Sequence, residues 1–218
     1  MAVLAFDPGE DEAVRVRTGK ARDRLVAAAI ISFQSQGYHA SGVSTILDRA
    51  GLPKGSMYHH FPGGKQQLAI SAVEALTDTI CGAMDAARAR GISAGIFLAR
   101  VAVDTGAWLE ERKWRQGALL SVLAQEVVPA VPDVAAAVGA AYDLLVGKLG
   151  DWLLETAAPG ALPRHAALTM ARSAWGLLDG AVAQSRALQS QEPMLAAARV
   201  LPVLLRAGAS LDRPAPRD

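Results

Sequence analysis

Apolar residues recur along the chain at the i, i+3, i+4, i+7 spacing of amphipathic helices, and no stretch alternates with period two between hairpin turns. Ala and Leu carry most of this pattern, while β-branched and aromatic residues are sparse. The pattern predicts an all-α fold. Glycine and proline interrupt it at Gly37, Gly51 to Pro53, Pro62 to Gly64, Gly91, Pro129 to Pro132, Pro159 to Pro163 and Pro193, dividing the chain into about nine helices. These fall near 20–36, 43–50, 54–60, 65–89, 94–111, 114–127, 133–156, 164–189 and 193–208. Three short or medium helices followed by a long fourth imply a compact head, 19–66, leading into a helical body, 67–210. The flanking arm, 1–18, and tail, 211–218, are expected to be disordered.

Within the head, Leu25, Ala28, Ala29 and Phe33 form one apolar stripe, and Gly37 supplies the permissive backbone that ends the first helix. Ser41 is placed to cap the second helix, on which Val43, Ile46, Leu47 and Ala50 share a face. Gly51 then makes a tight turn, Leu52 closes the corner, and Pro53 precedes a third helix expected to start at Lys54. This is the outline of a helix-turn-helix whose third helix reads the major groove. Met57 and Phe61 face inward from it, leaving Lys54, Gly55, Ser56, Tyr58, His59 and His60 outside or along its flanks.

Those outward residues suit contact with double-stranded DNA. Lys54 can reach a guanine edge or a phosphate, Gly55 lets the backbone approach closely, and Ser56 is small enough to touch a base edge. Tyr58 and His60 have the length and donors to hold phosphates. Lys65, at the start of the fourth helix, is expected to grip a phosphate together with the backbone amides there. Ser44 and Arg22, early in the second and first helices, are further candidate backbone contacts.

Charge sharpens this reading. The 22 Lys and Arg nearly balance 21 Asp and Glu, so the net charge of +1 implies no bulk attraction to nucleic acid or anionic membrane. The balance is uneven along the chain: residues 1–14 carry four acids and no base, whereas 15–65 carry eight bases and two acids, with three of the four histidines. A basic head on a near-neutral body is the electrostatic footprint of a DNA-binding unit on a scaffold that does not bind DNA. With 51% hydrophobic and 20% charged residues, the 218-residue chain is rich enough in apolar material to fold as one or two domains. Its single cysteine, Cys81, forms no internal disulfide and is expected to be a small core residue in a reducing cytoplasm. The first residues lack the basic leader and long apolar run of an export signal, and no apolar stretch reaches about 18 residues uninterrupted, so no membrane is expected as a partner.

The run Gly51-Leu52-Pro53-Lys54-Gly55-Ser56-Met57-Tyr58-His59-His60-Phe61, followed by Lys65 and Leu68, resembles the DNA-binding signature of the TetR family of bacterial transcriptional regulators. Leu25 to Phe33, Gly37 and Ile46 also fall where that family's pattern has them. The Pro62-Gly63-Gly64 insertion before Lys65 is similar to the LmrA/YxaF-like subgroup. Leu47 departs from the pattern, since many relatives have a small residue there. The resemblance implies an all-helical homodimer with an N-terminal DNA-binding domain and a C-terminal domain that binds a small inducer, usually acting as a repressor on a palindromic operator. Two such heads would read half-sites spaced by roughly 34–36 Å or a multiple. No cofactor is implied. Docking geometry leaves repressor and activator roles both open.

Enzyme motifs are weak by comparison. Gly91-Ile92-Ser93-Ala94-Gly95 matches G-x-S-x-G, with Asp104 and His165 following, but that motif needs a strand before its turn, and here Gly91 reads as a helix terminator and Ser93 as a cap. Pro62 to Gln66 lacks the first glycine and the Ser or Thr of a phosphate loop. His59 and His60 have no acid or cysteine at metal-ligand spacing, so no metal is expected.

The body holds all four tryptophans. Phe97, Val101, Asp104, Trp108, Trp114, Leu119, Val122, Trp152, Met170 and Trp175 are candidate linings of a pocket for a flat, largely neutral, small hydrophobic effector, each competing with a role as plain core. Thr105 joins Asp104 as a polar group on an apolar helix. Ala167, Ala171, Ala174, Leu178, Ala181 and Val182, then Leu195, Ala198, Leu201 and Leu205, supply small and apolar residues at helical spacing for a two-fold four-helix dimer interface. The competing class is a helical-bundle small-molecule carrier with an incidental basic head.

Overall fold

A computed structural model describes residues 20–206 of the chain. Those residues are helical throughout: α1 (Ala21–Ala40), α2 (Val43–Ala50), α3 (Ser56–His60), α4 (Gly64–Ala89), α5 (Ala94–Glu111), α6 (Leu119–Val127), α7 (Pro132–Thr156), α8 (Arg164–Leu188) and α9 (Glu192–Leu204). The all-α expectation holds, with nine helices among the described residues. The arm 1–18 and the tail 211–218 lie outside them.

The head assembles around the predicted stripe. Leu25, Ala28, Ala29 and Phe33 of α1 are fully buried, as are Ile46 and Ala50 of α2, Met57 of α3 and Phe61 just beyond it. Leu47, the departure from the family pattern, is also buried, so the larger side chain is absorbed by the head's core. Gly37 breaks α1 as expected, with φ 79° and ψ 179°, but the chain then makes one more helical turn to Ala40. That break removes Ser41 from its expected capping role. Its Oγ instead donates to the carbonyl of Gly37 at 2.6 Å, inside the protein, and Gly42 precedes α2 without a side-chain cap. The third helix also starts later than expected: Pro53 to Gly55 form a turn, closed by the Ser56 amide on the Pro53 carbonyl at 2.9 Å.

The body packs α5 against α9 and α7 against both α4 and α8. Gly91 (φ 70°) turns the chain out of α4, Ser93 Oγ accepts from the Ile96 amide at 3.4 Å, and a Cβ on Gly95 would stand 2.8 Å from Pro202 Cα. All three residues of the hydrolase-like motif therefore have structural duties: a turn, a cap and the close crossing of α5 and α9. Residues 114–118, expected as helix, are a loop. Lys113 and Trp114 adopt φ 53° and 61°, and their amides close the end of α5 on Glu110 and Leu109 carbonyls, each at 2.8 Å. None of the described helices is long and apolar enough to cross a membrane.

The predicted dimer face needs correction. Ala167, Ala171, Ala174, Leu178, Ala181, Val182, Leu201 and Leu205 are buried within a single chain, while Leu195 and Ala198 are half-buried. The buried alanines of α8 among them serve its close packing inside the bundle, since the same periodicity suits an internal neighbour and a second chain equally well. The side of α8 turned to solvent carries Arg172, Ser173, Gly176, Ala183 and Ala187, and α9 exposes Val200 and Val203.

Candidate nucleic-acid interface and head–body cleft

The α2–α3 corner is built from the backbone outward. Gly51 (φ 63°) donates to the Asp48 carbonyl at 3.1 Å, and the Leu52 amide returns to Leu47 at 3.0 Å, completing a helix end in which a left-handed residue satisfies the last carbonyls. Arg24 of α1 locks this corner from below. Its guanidinium donates to Ala50 O through Nη2 at 2.5 Å and Nε at 3.1 Å, and to Gly51 O at 2.9 Å. Sequence reasoning missed Arg24, which lies among other basic residues with no pattern to mark its partner.

With Met57 and Phe61 anchored, α3 offers solvent a polar row. Lys54, Gly55, Tyr58 and His59 are exposed, Ser56 and His60 half-buried, and Ser44 of α2 is exposed beside them. Tyr58 is 65% exposed with its ring edge over Gly64, and the His59 and His60 rings meet edge to face at 4.8 Å. A Cβ on Gly55 would touch nothing, so no neighbour within the chain requires glycine there. The Pro62-Gly63-Gly64 turn, closed by the Gly64 amide on Phe61 O at 2.8 Å, sets the angle between α3 and α4.

Two expected phosphate contacts have partners inside the protein. Arg22 is exposed, but its guanidinium stands 5.2 Å from the Phe61 ring centroid and donates to Ser71 Oγ at 3.1 Å. Lys65 Nζ donates to the His39 carbonyl at 3.3 Å and lies 4.5 Å from the Tyr38 ring. Burial pushes the Lys65 ammonium below the usual lysine range, while Glu126 partly restores it. The cation at the last turn of α1 suits the helix dipole and ties the base of α4 to that turn.

The head also meets the body across α1 and α6. The Gly117 amide donates to Gln34 O at 2.9 Å, Gln116 Nε2 to Ser35 Oγ at 3.1 Å, and the His39 amide to Glu126 Oε2 at 3.0 Å. Between these contacts lies a cleft of about 270 Å³, walled by α1, α6 and α8. On its body side Tyr142 Oη donates to Asp179 Oδ2 at 2.6 Å, with Ser121 Oγ 3.3 Å from the same phenol. Burial raises the Asp179 carboxyl above its usual range, opposed by those hydrogen bonds, and burial beside Asp179 also raises Tyr142.

Of the candidate effector residues, Leu119 and Trp175 line a small chamber of about 10 Å³ that shares Asp179 with this cleft, and Val122 lines the cleft itself. The others disperse. Phe97 and Trp152 pack on each other at 5.7 Å in the core, with Val101 and Trp108 also buried. Met170 borders a separate 390 Å³ cleft between α5, α7 and α9, Trp114 sits half-buried in the loop, and Asp104 pairs with Arg100 at 3.4 Å. Thr105 is buried. Trp108 and Trp152 are core while Trp175 borders the chamber, because size alone does not distinguish core from cavity. Gln34, Ser121, Tyr142 and Asp179 went unseen because their relation is purely tertiary.

The profile for bacterial regulatory proteins, tetR family, matches residues 25–72, and that for the LmrA/YxaF-like transcriptional regulator C-terminal domain matches 97–200. The chain belongs to the TetR family. It is 48% identical over 62 residues to the HTH-type transcriptional regulator LmrA of Bacillus subtilis, covering 28% of this chain and 33% of that protein. Its identity to the transcriptional regulator AcuR of Cereibacter sphaeroides is 31% over 140 residues, 63% of this chain and 59% of the relative. The chain thus spans less than two thirds of the length of either. The TetR fold extends further than these matches: the crystal structure of regulatory protein TetR from Rhodobacter sphaeroides superposes with a TM-score of 0.72 at 24% identity, over 84% of this chain and 98% of that one.

Proposed function

We propose that this TetR-family chain is a DNA-binding transcriptional regulator, acting as a repressor that binds a palindromic operator as a homodimer and leaves it when a small, largely hydrophobic effector enters the body. The reading rests chiefly on the head, 19–66: Met57 and Phe61 are fully buried on one side of α3 while Lys54, Tyr58 and His59 are exposed on the other. Burial fixes the short helix and leaves its polar row to reach base edges and phosphates. Dimerisation is assigned to the solvent side of α8 and α9, where Gly176 and Ala183 permit close approach and Val200 and Val203 offer apolar surface. The effector acts through the body, 67–210, whose α6 touches α1 directly and whose α4 runs on from the α3 turn. Only an effector with higher affinity for the conformation that does not fit DNA can release it.

The deciding experiment is selection of bound duplexes from a random DNA pool near physiological salt, where non-specific phosphate binding is suppressed. Enrichment of an inverted repeat is expected. Absence of enrichment from folded protein would count against the regulator and favour a small-molecule carrier.

A further inference from the structure

Two buried polar side chains lack partners here, one lining the head–body cleft and one lining a small chamber of the body that shares Asp179 with it. Gln34 of α1 is 1% exposed, lines the cleft, and neither its Oε1 nor its Nε2 makes a hydrogen bond. Trp175 of α8 is 4% exposed, lines the adjoining chamber, and its Nε1 is also unpartnered. Native proteins rarely leave such groups unsatisfied, because each has given up water for nothing. Asp179 joins the two spaces, lining both.

Charge selects among possible occupants. Asp179 accepts from Tyr142, a neutral donor, and no basic group is among the causes that shift its titration. Arg186, the basic side chain on the cleft wall, donates Nε to the Trp114 carbonyl at 3.4 Å and stands about two turns further along α8. Glu126, at the head end, adds a second carboxylate. Val122 and Val182 supply an apolar wall. The cleft therefore combines an acidic floor, an apolar side and an amide that both donates and accepts.

We propose that the cleft between α1, α6 and α8 binds an aromatic organic cation, with its ring system against Val122 and Val182, its N–H donors on the Asp179 carboxylate, and Gln34 bonding its polar edge. This deepens the effector reading and rests on it. Because Gln34 belongs to the head and Asp179 to the body, such a ligand bridges the two and sets their relative position. The cationic class replaces the neutral one expected from composition, which could not register a half-buried carboxylate placed by tertiary packing.

The test is calorimetric titration of the full chain, without DNA, using three compounds of nearly one shape: 2-naphthamidine (cationic), 2-naphthamide (neutral) and 2-naphthoate (anionic). The amidine is expected to bind at least tenfold tighter than the amide, and the naphthoate weakest. Asp179→Asn should bring the amidine down to the amide's affinity, whereas Tyr142→Phe, which keeps the carboxylate, should preserve the preference. Gln34→Leu should weaken amidine and amide together. Equal affinities, stronger naphthoate binding, no binding by any compound, or an amidine affinity untouched by Asp179→Asn would each overturn the proposal. The duplex selection separates the two readings: an operator found without amidine binding sinks this site alone, while amidine binding without an operator sinks the regulator and leaves the site standing.

Discussion

The carboxylate of Glu126 occupies the space where Gly37 would carry a side chain: a Cβ there would lie 1.6 Å from Glu126 Oε1. The same carboxylate accepts the His39 amide, and His39 Nε2 donates to the Glu126 carbonyl at 3.1 Å. A glycine in the head thus makes room for a clasp from the body, and the two units are joined at α1–α6 as well as along α4.

Gly37→Ala should break this clasp. At φ 79° and ψ 179° the backbone is in a region essentially reserved for glycine, and the added methyl would also displace Glu126. The expected cost is about 2 kcal/mol or more, lowering the midpoint of thermal unfolding by roughly 4–8 °C. Gly55→Ala is the control. Its backbone is right-handed and its Cβ meets nothing, so its stability should stay within about 0.5 kcal/mol of the parent.

Arg24→Ala should loosen the α2–α3 corner without touching the outer face of α3. Removing a charged donor from Ala50 and Gly51 carbonyls is expected to cost about 1–2 kcal/mol in urea unfolding. Arg24→Lys should recover only part of this, since an ammonium cannot reproduce the guanidinium fork. Full stability in the alanine variant would remove Arg24 from the account of how the corner is held.

Asp179→Asn should stabilise the protein at neutral pH. Burial raises the Asp179 carboxyl in the folded state, so the folded chain holds its proton more tightly than the unfolded chain does. The penalty for ionising it is therefore fully present above the raised folded value and disappears below the unfolded one. Asparagine removes the charge and still accepts from Tyr142 through its amide oxygen. The variant's advantage in thermal midpoint should be greatest near pH 8 and shrink as pH falls through the carboxylate range. An advantage independent of pH would mean that ionisation of Asp179 is not its source.

The architecture was legible wherever a single helix announces its own burial. Leu25, Ala28 and Phe33, or Met57 and Phe61, share a face by spacing alone, and their burial follows from period 3.6. Relations between helices were not legible in this way. Gln34 and Gly117, or Tyr142 and Asp179, meet across long stretches of chain, and no local pattern pairs them. The α8 stripe from Ala167 to Val182 is a third case: periodicity correctly marked a packed face, yet held nothing to say whether α7 and α9 or a second chain would cover it. Trp114 is expected from sequence to open a helix running to residue 127, beside a junction marked by the charged cluster Glu110 to Lys113. The left-handed pair at 113 and 114, with hydrogen bonds from 116 and 117 to α1, overrides that expectation.

On the outer face of α3, Tyr58 and Lys54 should separate affinity from specificity. Tyr58 is 65% exposed, so Tyr58→Ala should leave thermal stability nearly unchanged while weakening binding to all DNA sequences alike. Lys54 stands in the turn just before α3, where its ammonium can reach a base edge. Lys54→Ala should relax preference at one or two positions of the operator, with discrimination falling by about 1–3 kcal/mol at each. Lys65→Ala differs from both. Its ammonium is engaged by the His39 carbonyl and the Tyr38 ring, so this substitution should lower stability as well as DNA affinity. Competition binding against the selected operator, paired with unfolding curves, distinguishes the three. A Tyr58→Ala protein that discriminates bases less well but binds random DNA as before would reverse the assigned roles of Tyr58 and Lys54.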